Sequence, residues 1–179
     1  PTLEISFFFF ASKIIPKNVL LVAVSKTKPI DSIKSAYIYG QRDFGENKVQ
    51  EMVEKYDSLP KDINWHMIGH LQRNKVKYIT PFVHLIHSVD SYRLLLEINN
   101  QGIKNKRIIN VLVQIDISDD NTKFGFTYTE FNELIKLNKL KDLKNIKLKG
   151  MMGMASYSPN LSIIKREFNE LSNYFVKHK

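Results

Sequence analysis

At 179 residues, with 43% hydrophobic, 11% aromatic and 25% charged side chains, the chain can bury a core and is not a disordered segment. It has no cysteine, which excludes a disulfide framework, thiol catalysis and cysteine-ligated zinc, and which fits the reducing cytoplasm. The formal charge is +9, yet arginine is confined to Arg42, Arg73, Arg93, Arg107 and Arg166 and the lysines are scattered, so no specific nucleic-acid partner is implied.

Residues 1–18 read as an irregular or partial N-terminal segment, and 19–179 as one partial β/α domain. Pro1 is not a natural initiator, so a processed or partial product is expected. The run Phe7 to Phe10 follows an acidic residue, Glu4. It is too short to span a bilayer and lacks signal-peptide grammar, so no membrane is implied.

Leu20 to Val24 is a short apolar run, which predicts a strand buried on both faces. Ile30 to Tyr39 has helical spacing, with Asp31 or Ser32 as cap and Gly40 as its stop. A strand at 43–47 and a helix at 49–56 follow. Asn64 to Leu71 predicts a third strand, continuing into a helix that ends near Tyr78. Val83 to Val89 is a fourth strand, and Asp90-Ser91 caps a helix over Tyr92 to Asn100 that Gly102 ends. Ile108 to Ile117 is the clearest strand. After a loop from Ser118 to Gly125 come a helix near 129–137, a strand over 146–155 and a helix over 163–178.

Six strand-then-helix units without hairpin signals predict a parallel sheet with helices outside it. No glycine-rich phosphate loop follows any strand, which disfavours an open nucleotide-binding sheet. Polar residues instead gather at several strand ends: Lys26, Asn47, His70, Asp90, Asp116 and Ser156. That distribution suits a (β/α)8 TIM barrel, whose sites are built from many strand ends on one rim. Six units leave such a barrel incomplete, and its open edges make the chain a monomer or a weak self-associator.

Lys26 stands at the end of the first strand, where a lysine has a use as the amine of a Schiff base. His66 and His70 would form a zinc pair on a helix. In a strand they lie about 13 Å apart, so no metal is expected there.

Several stretches together resemble the YggS/PROSC-type pyridoxal phosphate homeostasis proteins, which share the alanine racemase barrel. They are VSKTKP at 24–29, QRDFGENKVQE at 41–51, WHMIGHLQRNK at 65–75, HSVDS at 87–91, VLVQIDIS at 111–118, KFGF at 123–126 and LKGMMGMA at 148–155. The resemblance implies that Lys26 holds pyridoxal 5′-phosphate as a Schiff base. It further implies that Asn47 and His66 line the ring pocket, that Met152 packs near the ring, and that Lys28 faces solvent. For Asn47 and His66 a supporting role for buried backbone groups, and for Met152 a plain core role, stay open.

Relatives carry two further β/α units whose stretches contact the cofactor phosphate and pyridine nitrogen, and this sequence has neither. The expectation is therefore a protein of vitamin B6 homeostasis that holds the cofactor without substrate turnover, with PLP-dependent apoenzymes as possible recipients. The alternatives are a truncated member with weak or lost cofactor binding and a racemase-like PLP enzyme. Against the latter, no second domain and no opposing acid/base tyrosine is evident.

Overall fold

The computed structural model describes residues 14–118 and 124–178, so the Phe7–Phe10 run lies outside the described residues. Six parallel strands form one sheet: β1 (Ala23–Val24), β2 (Asp43–Glu46), β3 (Asn64–Met67), β4 (Leu85–Val89), β5 (Ile109–Ile115) and β6 (Ile146–Gly153). Between and after them run α1 (Ile30–Ile38), α2 (Val49–Ser58), α3 (Val76–Ile79), α4 (Tyr92–Lys104), α5 (Tyr128–Lys136) and α6 (Leu161–His178).

The strand order is β1-β2-β3-β4-β5-β6, with every pairing parallel. A doubly wound sheet would reverse direction at a switch point. Here each strand is added on the same side of the last, as in a barrel wall. The fold is therefore the incomplete α/β barrel read from the sequence.

One sheet face carries the core. Phe44 and Trp65 are register neighbours on it, and Ile86, Val111 and Val113 continue the layer. Ile33, Met52, Leu94, Leu95, Ile98, Phe131 and Leu134 close over it from α1, α2, α4 and α5. Burying such side chains contributes about 1.5–3 kcal/mol each, which is what holds short, weakly capped helices in place.

Three local expectations are corrected. The first strand is two residues long and not buried on both faces, because it pairs only with β2; Leu20 and Val24 are 63% and 53% exposed. Neither Asp31 nor Ser32 caps α1: Pro29 holds the N-cap position without a side-chain bond, and Asp31 falls in the first turn. Gly102 does not end α4, which runs on to Lys104. A Cβ at Gly102 would lie 2.8 Å from the carbonyl oxygen of Asn145, so this glycine serves a close approach instead. Gly40, at φ +97°, does follow the end of α1, and Ser91 does cap α4, its hydroxyl accepting from the amide of Leu94.

Candidate functional site

The backbone around Lys26 is fixed from behind the sheet. Strand alternation points Ser25 to the helix side, where it is buried. Its hydroxyl donates to Glu46 Oε1 at 2.6 Å, and its carbonyl accepts from Lys55 Nζ at 2.7 Å. The same ammonium donates to Glu46 Oε1 at 2.7 Å and to Glu51 Oε1 at 2.6 Å. Glu51 Oε1 in turn accepts from the amide of Thr27 at 2.6 Å. Residues on both sides of Lys26 are thus tied to one buried ionic cluster contributed by β2 and α2.

Thr27 adopts φ +62°, a left-handed conformation that costs a residue other than glycine about 1 kcal/mol. Such strain persists where the surroundings over-determine the backbone, and it concentrates at functional sites. Burial pushes the Glu46 carboxyl above its ordinary range despite the bonds from Lys55 and Ser25, and its Oε2 is buried without a partner. Burial alone would raise Glu51 too, but the bonds from Lys55 and from the Thr27 amide together hold it lower.

Lys26 itself is exposed, in the turn that follows β1. Among the described residues its amine makes no hydrogen bond or ion pair. Lys26 stands two residues past Val24, the last residue of β1, which shares a face with Gly45 and His66.

Register puts the other three predicted site residues on that face as well. Val24 pairs with Gly45 and Gly45 with His66, and Asn47 continues the alternation of Asp43 and Gly45 just past the end of β2. Met152 pairs with Gln114, while their neighbours Met151 and Val113 belong to the core side. Asn47 and Met152 are half-buried. Asn47 sits against Gly69, where a Cβ would come 2.6 Å from its carbonyl oxygen and 2.7 Å from its Cα. Only a residue without a side chain lets the backbones after β2 and β3 approach so closely.

His66 lies lower, within β3, 1% exposed and with both ring nitrogens engaged. Nε2 lies 3.0 Å from Asp43 Oδ1, and Nδ1 lies 2.8 Å from His87 Nε2. The rings of His66 and His84 stand 5.2 Å apart. Burial pushes His66 below 6.5 although Asp43 favours its charged form. Burial, reinforced by His66 and His84, lowers His87 to about 4.

His70 is remote from this group. It lies past the end of β3, not within a strand as expected; its Nδ1 pairs with Asp90 Oδ2 at 2.9 Å and its ring stacks on Phe124 at 4.0 Å, so the two histidines of the WHMIGH stretch take different partners. Sequence reading missed Asp43, His84 and the Glu46–Lys55–Glu51 cluster. The alternation of Asp43 with Gly45 was a usable signal for the first. His84 precedes its strand, where alternation says nothing.

No described helix is long and apolar enough to cross a membrane.

Comparison with known proteins agrees with this architecture. The family model for the alanine racemase N-terminal domain matches residues 10–176. The pyridoxal phosphate homeostasis protein of Haemophilus influenzae is 37% identical over 165 residues, covering 90% of this chain and 69% of that protein. Its counterpart in Schizosaccharomyces pombe is 38% identical over 160 residues, covering 88% and 67%. Among solved structures, PipY of Synechococcus elongatus PCC7942 with PLP bound superposes with a TM-score of 0.86 at 28% identity, covering 96% of this chain and 80% of that one. Alanine racemase of Clostridium difficile 630, at 17% identity and a TM-score of 0.76, shares the fold. The chain therefore belongs to the alanine racemase N-terminal-domain family and, within it, to the pyridoxal phosphate homeostasis proteins.

Proposed function

We propose that this chain binds pyridoxal 5′-phosphate covalently through Lys26 and serves vitamin B6 homeostasis in the cytoplasm, limiting the free aldehyde and passing it to apoenzymes without a turnover of its own. One observation carries the reading: an uncommitted amine at the carboxyl end of β1, its backbone tethered on both sides to a buried ionic cluster. When bound, the cofactor supplies an aldehyde carbon that an amine captures with loss of water.

The residues present fit an aldehyde-bearing ring. Lys26 brings the nucleophile to the open sheet face, and the tethered turn limits where that nucleophile can go. Asn47 offers an amide with no hydrogen bond to another described residue, beside the backbone of Gly69. His66 is held in one orientation by Asp43 and His87, and Met152 offers a polarizable thioether on the same face. The names of the relatives and the PLP-bound PipY support the same ligand.

The test is an absorbance titration with pyridoxal 5′-phosphate, followed by borohydride reduction and peptide mapping. One equivalent should be trapped on Lys26, and Lys26→Ala should abolish the long-wavelength band. Trapping on another lysine, or an undiminished band in Lys26→Ala, overturns the assignment. A band that does not survive dialysis would favour the reading of a weakened cofactor holder.

A further inference from the structure

Asp43, His66 and His84 bring three metal-ligating atoms within 4.8 Å of one another. We propose that they form a site for a borderline divalent transition cation of the zinc class, with water in the fourth position. Two imidazoles and one carboxylate are a donor set for zinc, cobalt or nickel, whereas calcium and magnesium take oxygen ligands.

The geometry needs little rearrangement. Tetrahedral zinc with nitrogen and oxygen ligands at about 2.0–2.2 Å holds neighbouring donors about 3.3 Å apart. Asp43 Oδ1 and His66 Nε2 already stand 3.0 Å apart. His84 closes the remaining gap by side-chain rotation alone, because it is exposed. Its backbone is fixed on both sides: its amide donates to the carbonyl of Trp65 at 2.9 Å, and its carbonyl accepts from Asn110 Nδ2 at 3.2 Å. Asn64 Nδ2 donates to Asp43 Oδ1 at 3.1 Å and steadies the carboxylate.

His87 supplies the outer hydrogen bond that metal-binding histidines characteristically have. Without a cation, His66 donates through Nε2–H to Asp43 and accepts at Nδ1 from Nε2–H of His87. With a cation on Nε2, His66 carries its proton on Nδ1 and donates it to His87 Nε2, while His87 carries its own on Nδ1. Two protons change place and none is lost, so the imidazole pair accommodates both states. The cation site shares His66 with the proposed ring pocket and lies deeper than the Lys26 amine: His66 is level with Gly45 and, two strands away, with Val24, and Lys26 lies two residues beyond Val24, about 7 Å along that strand.

Zinc titrated into the 179-residue chain against a chromophoric chelator provides the test, with cobalt(II) absorption reporting geometry. One equivalent should bind, and cobalt should show intense tetrahedral bands. His84→Ala, at an exposed position where folding is checked by circular dichroism, and Asp43→Asn should each weaken binding more than about tenfold. His87→Phe, which removes only the outer bond, should cost about tenfold. His70→Ala should bind as the parent does. The proposal is overturned if no stoichiometric equivalent binds, if His84→Ala binds as tightly as the parent, or if His70→Ala loses as much as His84→Ala.

Discussion

Lys55 is the residue on which the tethered turn depends. It is 4% exposed, yet it donates to two carboxylates and one carbonyl, so its charge is matched and its donors are used. A buried pair of this kind is weak evidence of net stabilisation, since desolvation opposes the attraction. Removing one partner is a different matter, because Glu46 is fully buried and without the ammonium must either hold an unmatched charge or take up a proton, while the Ser25 carbonyl loses its donor. Lys55→Met should therefore destabilise the fold by about 3–5 kcal/mol in urea unfolding at pH 7. Adding Glu46→Gln should recover part of that loss. A single variant as stable as the parent would show that the cluster does not hold the β1 turn. The same variant should loosen Lys26, seen as weaker trapping of pyridoxal 5′-phosphate in the soluble folded fraction.

The strand ends show where this site is assembled, and how tightly. After β3, Gly69 touches the backbone of Asn47, and its carbonyl accepts a bond from the hydroxyl of Ser88 on β4. The loop is held from one side while it is pressed from the other, so it cannot retreat from an added methyl group. Gly69→Ala should cost about 1–3 kcal/mol, read by urea unfolding, and should weaken cofactor trapping as Asn47 is displaced. Unchanged stability would mean that the loop yields. The six units were legible in the sequence because strands such as β1 and β5 fall in apolar runs and helices such as α4 repeat their apolar residues at helical spacing, while β2 (DFGE) and β3 (NWHM) were read from the alternation of units around them. The exposure of Val24 was not, since burial of an edge strand depends on what lies beside it rather than on its own residues. The Glu46–Lys55 pair was equally hidden: a strand residue and a helix residue share no periodicity, and only the packing of α2 on β2 joins them. The place of Lys26 just past the first strand, by contrast, could be read from the apolar run Leu20 to Val24 that precedes it.

Protonation acts on the molecule through two groups of opposite sign. Burial lowers His87 to about 4 from 6.5 and moves His66 in the same direction. Between those limits the unfolded chain binds more protons than the folded one, so these histidines make stability fall as pH drops from 6.5 towards 4. Glu46 is raised above 4.5 by burial, so the folded chain keeps its proton longer than the unfolded one. Its contribution is present below 4.5 and is lost as pH rises through the folded value. In the overlap the two effects oppose each other, with two histidines acting against one carboxyl. The melting temperature should therefore rise from pH 4 to 6.5 and level off above, with the histidine windows setting the slope. His87→Leu should flatten the rise, because the residue then has no proton to gain on unfolding. Glu46→Gln should steepen it, by removing the opposing carboxyl. Thermal melts of the three proteins across that range decide the matter: a slope unchanged in His87→Leu would mean that this imidazole keeps its ordinary affinity for protons inside the fold, and that the open sheet face is wetter than its packing implies.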